Sequence, residues 1–184
     1  MMQVDYSDID ELWVFGYGSL MWRPGFDYVE KAPAKCVGFQ RKFCIYSTVY
    51  RGTPEDAGLV LGLDVGGETI GMAFKVAPEN KTLVMDYLRE REQINDVYRE
   101  ILHPLDIVGH GIKMGIFYVA IDGHEQYAGD LSPDQQAEII ARSAGGMGSN
   151  KDYLFNSHDI LLELNIHDEY MAGLVNRVKA KLTD

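Results

Sequence analysis

The feature that most constrains this chain is an apolar run, Leu12 to Phe15, that breaks at once into Gly16-Tyr17-Gly18-Ser19. The run reads as a buried strand. Glycine tolerates positive φ and carries no Cβ, so a ligand can come close to the backbone there. A strand, a glycine turn and Ser19 together present a row of backbone N–H groups, and such a row suits a carboxylate or an oxyanion. A plain turn is the competing reading. Better-known glycine motifs are excluded. No Gly-Lys-Ser/Thr follows, so this is not a Walker-type phosphate loop. Gly16-Tyr17-Gly18 lacks the third glycine of the dinucleotide fingerprint, and no helical pattern opens behind it. Met21 stands where a serine-nucleophile elbow needs its second glycine.

The rest of the chain supplies strands, one helix, strands again, and then helices. Residues 1–11 are polar and acidic without an apolar period and read as a flexible arm. From Lys35 to Val49 the residues Val37, Phe39, Phe43, Ile45 and Val49 share parity, which predicts a long strand with one buried face and Cys36 and Cys44 on the other. Residues 51–58 are a loop by composition. Leu59 to Val65 and Thr69 to Val76, joined through Gly66-Gly67, carry a hairpin signal. Ala77-Pro78-Glu79-Asn80 opens a helix expected to reach about Glu92. Tyr98 to Ile107 and Ile112 to Ile121 read as strands turning at Gly109-His110-Gly111. Ser132-Pro133 starts a helix running to about Ala144. A second glycine loop spans Gly145 to Asn150, and Lys151 to Asn165 and Asp168 to Leu182 are helical by period. This order predicts an α+β fold: a small mixed β-barrel or sheet with an inserted helix and C-terminal helices over 132–182, in a single domain spanning 1–184.

Composition narrows the function classes. The chain has 184 residues, 46% hydrophobic and 24% charged, with a net charge of −11. That balance suits a folded chain. The negative charge argues against nucleic acid as a partner and disfavours an anionic membrane surface. Two cysteines make no disulfide framework, and no leader or membrane span is legible, so the cytoplasm is the expected compartment. The five histidines fit no zinc spacing. Neither a metal nor another cofactor is expected.

The chemically loaded helix is Tyr87-Leu88-Arg89-Glu90-Arg91-Glu92. At about 100° per residue Glu92 projects between Met85 and Leu88, on the apolar stripe, whereas Glu90 falls at the polar margin. Desolvation raises a carboxylate's pKa and makes it a general acid/base near neutrality. A salt bridge at the helix end is the alternative role.

Val14-Phe15-Gly16-Tyr17-Gly18-Ser19-Leu20-Met21-Trp22, with Tyr87-Leu88 and Arg91-Glu92 behind it, resembles the signature of the ChaC-type γ-glutamylcyclotransferases. The similarity runs from Leu12 to the last helix. It implies a γ-glutamylcyclotransferase-like fold and a 5-oxoproline-forming lyase that cleaves glutathione to 5-oxoproline and Cys-Gly. It implies Glu92 as the catalytic acid/base and Val14, Phe15, Gly16, Tyr17, Gly18, Ser19 and Leu20 as the substrate-binding loop. Asn150, Asp152, Tyr153 and Leu154 match a later family loop, which makes Tyr153 a candidate substrate contact, with core packing as the alternative. This chain departs from the family pattern at Tyr50, Ala57, Leu59 and Met147. It also has Ile94-Asn95-Asp96 where the family often has a glycine pair.

The implied reaction asks little of the protein. The substrate's own α-amine attacks its γ-carbonyl, so no protein nucleophile is needed. One group must move a proton, and backbone donors must hold the γ-glutamyl chain bent. Two other readings stand beside this one: cyclisation of a different γ-glutamyl amine, or a non-catalytic relative that binds a small ligand or partner.

Overall fold

The computed structural model describes residues 4–92 and 96–183. Ile94 and Asn95, at the departure from the family's glycine pair, lie outside the described residues. Strands β1 (Trp13–Gly16), β2 (Glu30–Ser47), β3 (Gly58–Lys75), β4 (Tyr98–Ile107) and β5 (Gly111–Ala120) close into a barrel in the order β1-β3-β2-β4-β5. The α+β barrel read from the sequence is the architecture found.

The short β1 is central. It pairs antiparallel with β3, Val14 opposite Phe74, and parallel with β5, Val14 opposite Ile116. Trp13 and Phe15 point into the barrel with Leu63, Leu105 and Phe117. Leu12 and Val14 point the other way, onto Val84, Met85 and Leu88 of helix α1 (Lys81–Glu92). Both faces of β1 are covered, and that is why its apolar residues run without alternation. A 3-10 turn at Pro78–Asn80 leads into α1, which places the helix start where proline and Glu79 predict it.

Two expectations fail within the long strands, both at glycines with positive φ. Gly38 has φ +94, and a Cβ there would meet nothing within 4 Å, so conformation and not space calls for glycine. It turns β2 over. Ala32, Ala34 and Cys36 are buried before it, and Arg41, Phe43, Ile45 and Ser47 after it. The single parity drawn through Val37 to Val49 is therefore broken. Val37 and Val49 are 56% and 64% exposed, while Cys36 and Cys44 are both fully buried. Gly66 and Gly67 have φ +113 and +61, which a tight hairpin also needs. Here they bend one continuous strand. Val65 O accepts from Gln40 Nε2 at 3.4 Å and Thr69 Oγ1 donates to Phe39 O at 2.9 Å, so both sides of the pair stay beside β2 instead of folding onto each other.

The residues divide into two compact units, Met1–Arg41 with Leu63–Ile121, and Lys42–Gly62 with Asp122–Asp184. In the first, the described part of the expected flexible arm is fastened. Val4 N donates to Glu100 at 2.9 Å, Lys81 Nζ donates to Ile9 O, and Glu11 pairs with Lys75 and Lys113. Single anchors of this kind leave no period in the sequence.

In the second unit, α2 (Pro133–Arg142), α3 (Asn150–Glu163) and α4 (Glu169–Lys181) pack on one another. A two-stranded ribbon, β6 (Ala144–Gly145) with β7 (Gly148–Ser149), joins α2 to α3. Ser132 and Gln135 form the capping box that starts α2. Tyr170 of α4 donates to Gln136 Oε1 and accepts from Phe43 N, each at 2.9 Å, which ties helix to strand.

Candidate active site

Glu92 is the last residue of α1. Its side chain is 18% exposed, while Glu90 is exposed. The stripe of Val84, Met85 and Leu88 is buried against β1 and β5, and one further turn along that face arrives at Glu92. Burial pushes the Glu92 carboxyl above the ordinary range, and the Arg91 guanidinium partly opposes the rise. Its place at the carbonyl end of a helix acts in the same direction as burial.

Arg91 is a hub. Its Nε lies 3.1 Å from Glu92 Oε1. One terminal nitrogen donates to Ser19 Oγ at 2.9 Å; the other donates to Arg23 O at 2.8 Å, Pro24 O at 3.2 Å and Tyr87 Oη at 3.0 Å. The acid and the stretch after β1 thus share one guanidinium.

The turn itself starts tightly. Gly16 ends β1, and a Cβ there would lie 3.0 Å from Leu20 Cβ and 3.1 Å from Met21 N, because the chain folds straight back over it. A single 3-10 turn follows at Ser19–Met21, and the next element is strand β2. Its first internal bond is Met21 N to Gly18 O at 2.9 Å, so the N–H groups of Gly18, Ser19 and Leu20 precede the turn's own hydrogen bonding. The candidate loop residues divide accordingly. Val14 and Phe15 have fully buried side chains and lie in the strand ladder; Leu20 packs with Val14 against α1. Tyr17 is 7% exposed, with its ring in the barrel core. Of Gly16 to Leu20, Ser19 is half-buried and the other four are buried.

Two residues that the sequence reading passed over hold this region. Arg41, 4% exposed, donates from Nε to Tyr17 O at 2.7 Å and from a terminal nitrogen to Ile70 O at 2.6 Å. Arg41 shares parity with Phe39 and Phe43 in an apolar stretch, and a lone cation in such a row is the signal that would have marked it. Glu100, on β4, has a fully buried side chain. It accepts from Arg89 Nε at 2.9 Å, from an Arg89 terminal nitrogen at 2.8 Å, from Tyr118 Oη at 3.0 Å and from Val4 N. Burial alone would raise its pKa; these donors outweigh burial and hold it below the usual range. Tyr118 is pushed up by burial, by Glu100 and, more weakly, by Glu92. Tyr118 therefore stands between one glutamate kept ionised and another biased toward neutrality.

Tyr153 belongs to the second unit. Its ring packs against Phe43 at 5.8 Å between centroids and lies under the Arg51 guanidinium at 4.8 Å. Asn150 is fully buried and reaches Leu59 as a strand would, accepting from its N and donating to its O, both at 2.7 Å. Leu59, one of the departures from the family pattern, is core. Tyr50 and Met147, two others, are exposed and joined by a Met147 N to Tyr50 O bond at 2.9 Å.

Among the described residues no group of three His, Cys, Asp or Glu is placed to hold a metal, and no helix is long and apolar enough to cross a membrane. The Cys36 thiol is pushed up to about 12 by burial, far from the range of a reactive thiolate.

Comparison with known proteins agrees with this fold. The chain is 32% identical over 177 residues to the glutathione-specific γ-glutamylcyclotransferase of Escherichia coli K12, covering 96% of this chain and 77% of that relative. It is 32% identical over 183 residues to the human glutathione-specific γ-glutamylcyclotransferase 1, covering 96% and 82%. The crystal structure of the yeast γ-glutamyl cyclotransferase specific to glutathione matches with a TM-score of 0.82 at 26% identity, covering 92% of this chain and 96% of that one. The model of the ChaC-like protein family matches residues 12–181, from the strand before the glycine turn to the end of the last helix. This chain belongs to the ChaC-like family.

Proposed function

We infer that this protein is a γ-glutamylcyclotransferase that cleaves glutathione to 5-oxoproline and Cys-Gly. Supporting this are the family membership and relatives in bacteria and human whose names specify glutathione. The observation that carries the mechanism is a partly buried acid, Glu92, joined through Arg91 to the turn that follows β1.

The substrate's α-amine, once unprotonated, attacks its own γ-carbonyl carbon. A C–N bond forms, closing a five-membered ring, and the carbonyl oxygen takes up negative charge. Glu92 as carboxylate accepts one proton from the attacking nitrogen and returns it to the departing nitrogen of the Cys-Gly portion, whose bond to carbon then breaks. Desolvation suits Glu92 to this shuttle, because a carboxyl with a raised pKa is both a better base and able to hold the proton briefly. The N–H groups of Gly18, Ser19 and Leu20 bind the γ-glutamyl group in its bent form and face the developing oxyanion. Val14 and Phe15 serve by holding the turn at the strand end. The cytoplasm, where thiols stay reduced, is the compartment that suits a chain whose two cysteines are both buried and too few for a disulfide framework.

The test is incubation with glutathione and detection of 5-oxoproline and Cys-Gly by mass. Glu92→Gln keeps the shape and removes the shuttle, so activity falls at least ~10²-fold with the fold intact. Glu90→Gln, on the exposed face, leaves activity unchanged. Full activity in Glu92→Gln would falsify the assignment.

A further inference from the structure

Arg91 joins the carbonyls of Arg23 and Pro24, the hydroxyl of Ser19 and the carboxylate of Glu92 through one guanidinium, and the first three contacts reach well beyond α1. Its partners Ser19, Arg23 and Pro24 lie far from it in sequence, and all belong to the segment that emerges from β1. Glu92 Oε1 lies 3.1 Å from Nε of the same guanidinium. A planar guanidinium presents donors in fixed directions, so satisfying these acceptors at once fixes where they lie relative to each other. Glu92 itself is at a helix end, where backbone geometry alone holds a side chain loosely.

We propose that Arg91 is a positioning residue for the lactam-forming reaction: by gripping Ser19 Oγ, the carbonyls of Arg23 and Pro24, and Glu92 Oε1 together, it sets the separation between the proton-shuttling carboxylate and the turn amides across which the bent γ-glutamyl group lies. The proposal rests on the cyclotransferase reading. It also explains why an arginine stands directly before the acid, where a lysine would supply charge alone. Lysine has one nitrogen and cannot hold carboxylate, hydroxyl and two carbonyls in a plane. Tyr87 completes the arrangement from one helical turn back, accepting from the same terminal nitrogen that reaches the carbonyls. Among the described residues, the ionisable groups facing Glu92 are Arg91 from α1 and Tyr118 from β5, with Glu100 of β4 and Arg89 behind Tyr118.

Two readouts test this. The first does not require activity: the side-chain carboxyl of Glu92, labelled with carbon-13 and assigned with Glu92→Gln, is titrated by NMR. In Arg91→Gln the Glu92 titration moves to higher pH while that of Glu100, which has Arg89, stays put. In Arg91→Lys it stays near the wild-type position. The second readout is kcat/KM for glutathione against pH. In Arg91→Gln the acidic limb shifts with the carboxyl titration. In both variants the plateau falls by roughly 10²-fold, mostly in kcat, the loss that about an ångström of misplacement produces. Ser19→Ala cuts one arm of the grip, guards against an Arg91 variant that fails to fold, and loses roughly tenfold in kcat without moving the Glu92 titration. Arg91→Lys at wild-type kcat overturns the proposal, as does an unmoved Glu92 titration in folded Arg91→Gln. A wild-type protein that releases no 5-oxoproline overturns the cyclotransferase reading instead, and the carboxyl titration still decides whether Arg91 holds Glu92.

Discussion

Replacing Glu100 by glutamine tests the electrostatic frame behind the site, and its cost follows from the contacts. The carboxylate is fully buried and receives two hydrogen bonds on each oxygen, Arg89 and Val4 N at Oε1, Arg89 and Tyr118 at Oε2. Glutamine keeps the outline but turns one oxygen into an NH2 group. With the NH2 at the Oε1 position Arg89 and Val4 N both meet a donor; at Oε2 the Tyr118 hydroxyl can turn to accept but Arg89 Nε still meets a donor. Either way Arg89, 15% exposed, loses the counter-charge of Glu100. Breaking one side of a buried pair costs about 3–5 kcal/mol. For a chain of this size that lowers Tm by roughly 6–20 °C. Tyr118→Phe removes one donor of the set and costs only about 0.5–1.5 kcal/mol. The pH dependence has a definite sign. Glu100 is held below the ordinary range, so its contribution is complete above the unfolded-state pKa of about 4.3 and is lost as pH falls toward its folded value. Urea melts of wild type and Glu100→Gln should therefore differ by a constant amount between pH 5.5 and 8 and converge as pH falls below about 4.3. A loss under ~1 kcal/mol at pH 7, or a gap that persists unchanged into the acid range, refutes the reasoning.

The same comparison at Glu92 has the opposite sign. Burial raises this carboxyl, so ionising it opposes folding, and Glu92→Gln should have a higher Tm than wild type at pH 8, with the advantage vanishing as pH falls toward the ordinary glutamate range. An inactive variant that is also less stable at pH 8 would mean that Arg91 contributes more to Glu92 than desolvation takes away. In the second unit, Asn150→Ala leaves the N–H and C=O of Leu59 without their side-chain partners; urea unfolding should show a loss of about 2–4 kcal/mol, and a loss below ~1 kcal/mol would mean the strand re-pairs elsewhere.

How much of this was legible in the sequence depends on the range over which each feature is determined. The start of β1, the proline-led entry to α1 and the Ser132 cap of α2 are set by neighbouring residues, and local chemistry identified them. The glycines of β2 and β3 misled for a definable reason. Positive φ is common to a hairpin and to a bend in a long barrel strand, and only the neighbouring strand decides between them. Gly38 likewise reverses the alternation of β2 without any change in the apolar count. On α1 the helical period was enough to separate the inward Glu92 from the exposed Glu90. It could not show that Arg91 spans to Ser19, 72 residues earlier, or that Arg41 holds Tyr17 from 24 residues away.

Glu92 and Glu100 are the same residue type in one unit, with Tyr118 acting on both, yet their environments drive them in opposite directions. Glu100 is wholly buried but receives every donor it can accept, so ionisation is favoured. Among the described residues Glu92 has one cation, Arg91, which is shared with four other acceptors, and it keeps partial exposure, so ionisation is resisted. Burial alone therefore does not mark the acid suited to proton transfer; the number of donors left over for it does. Divergence of this kind between nearby carboxyls is what separates a structural acid from one able to carry a proton. On that ground we read Glu100 as an anchor and keep Glu92, at the helix end, as the proposed proton carrier.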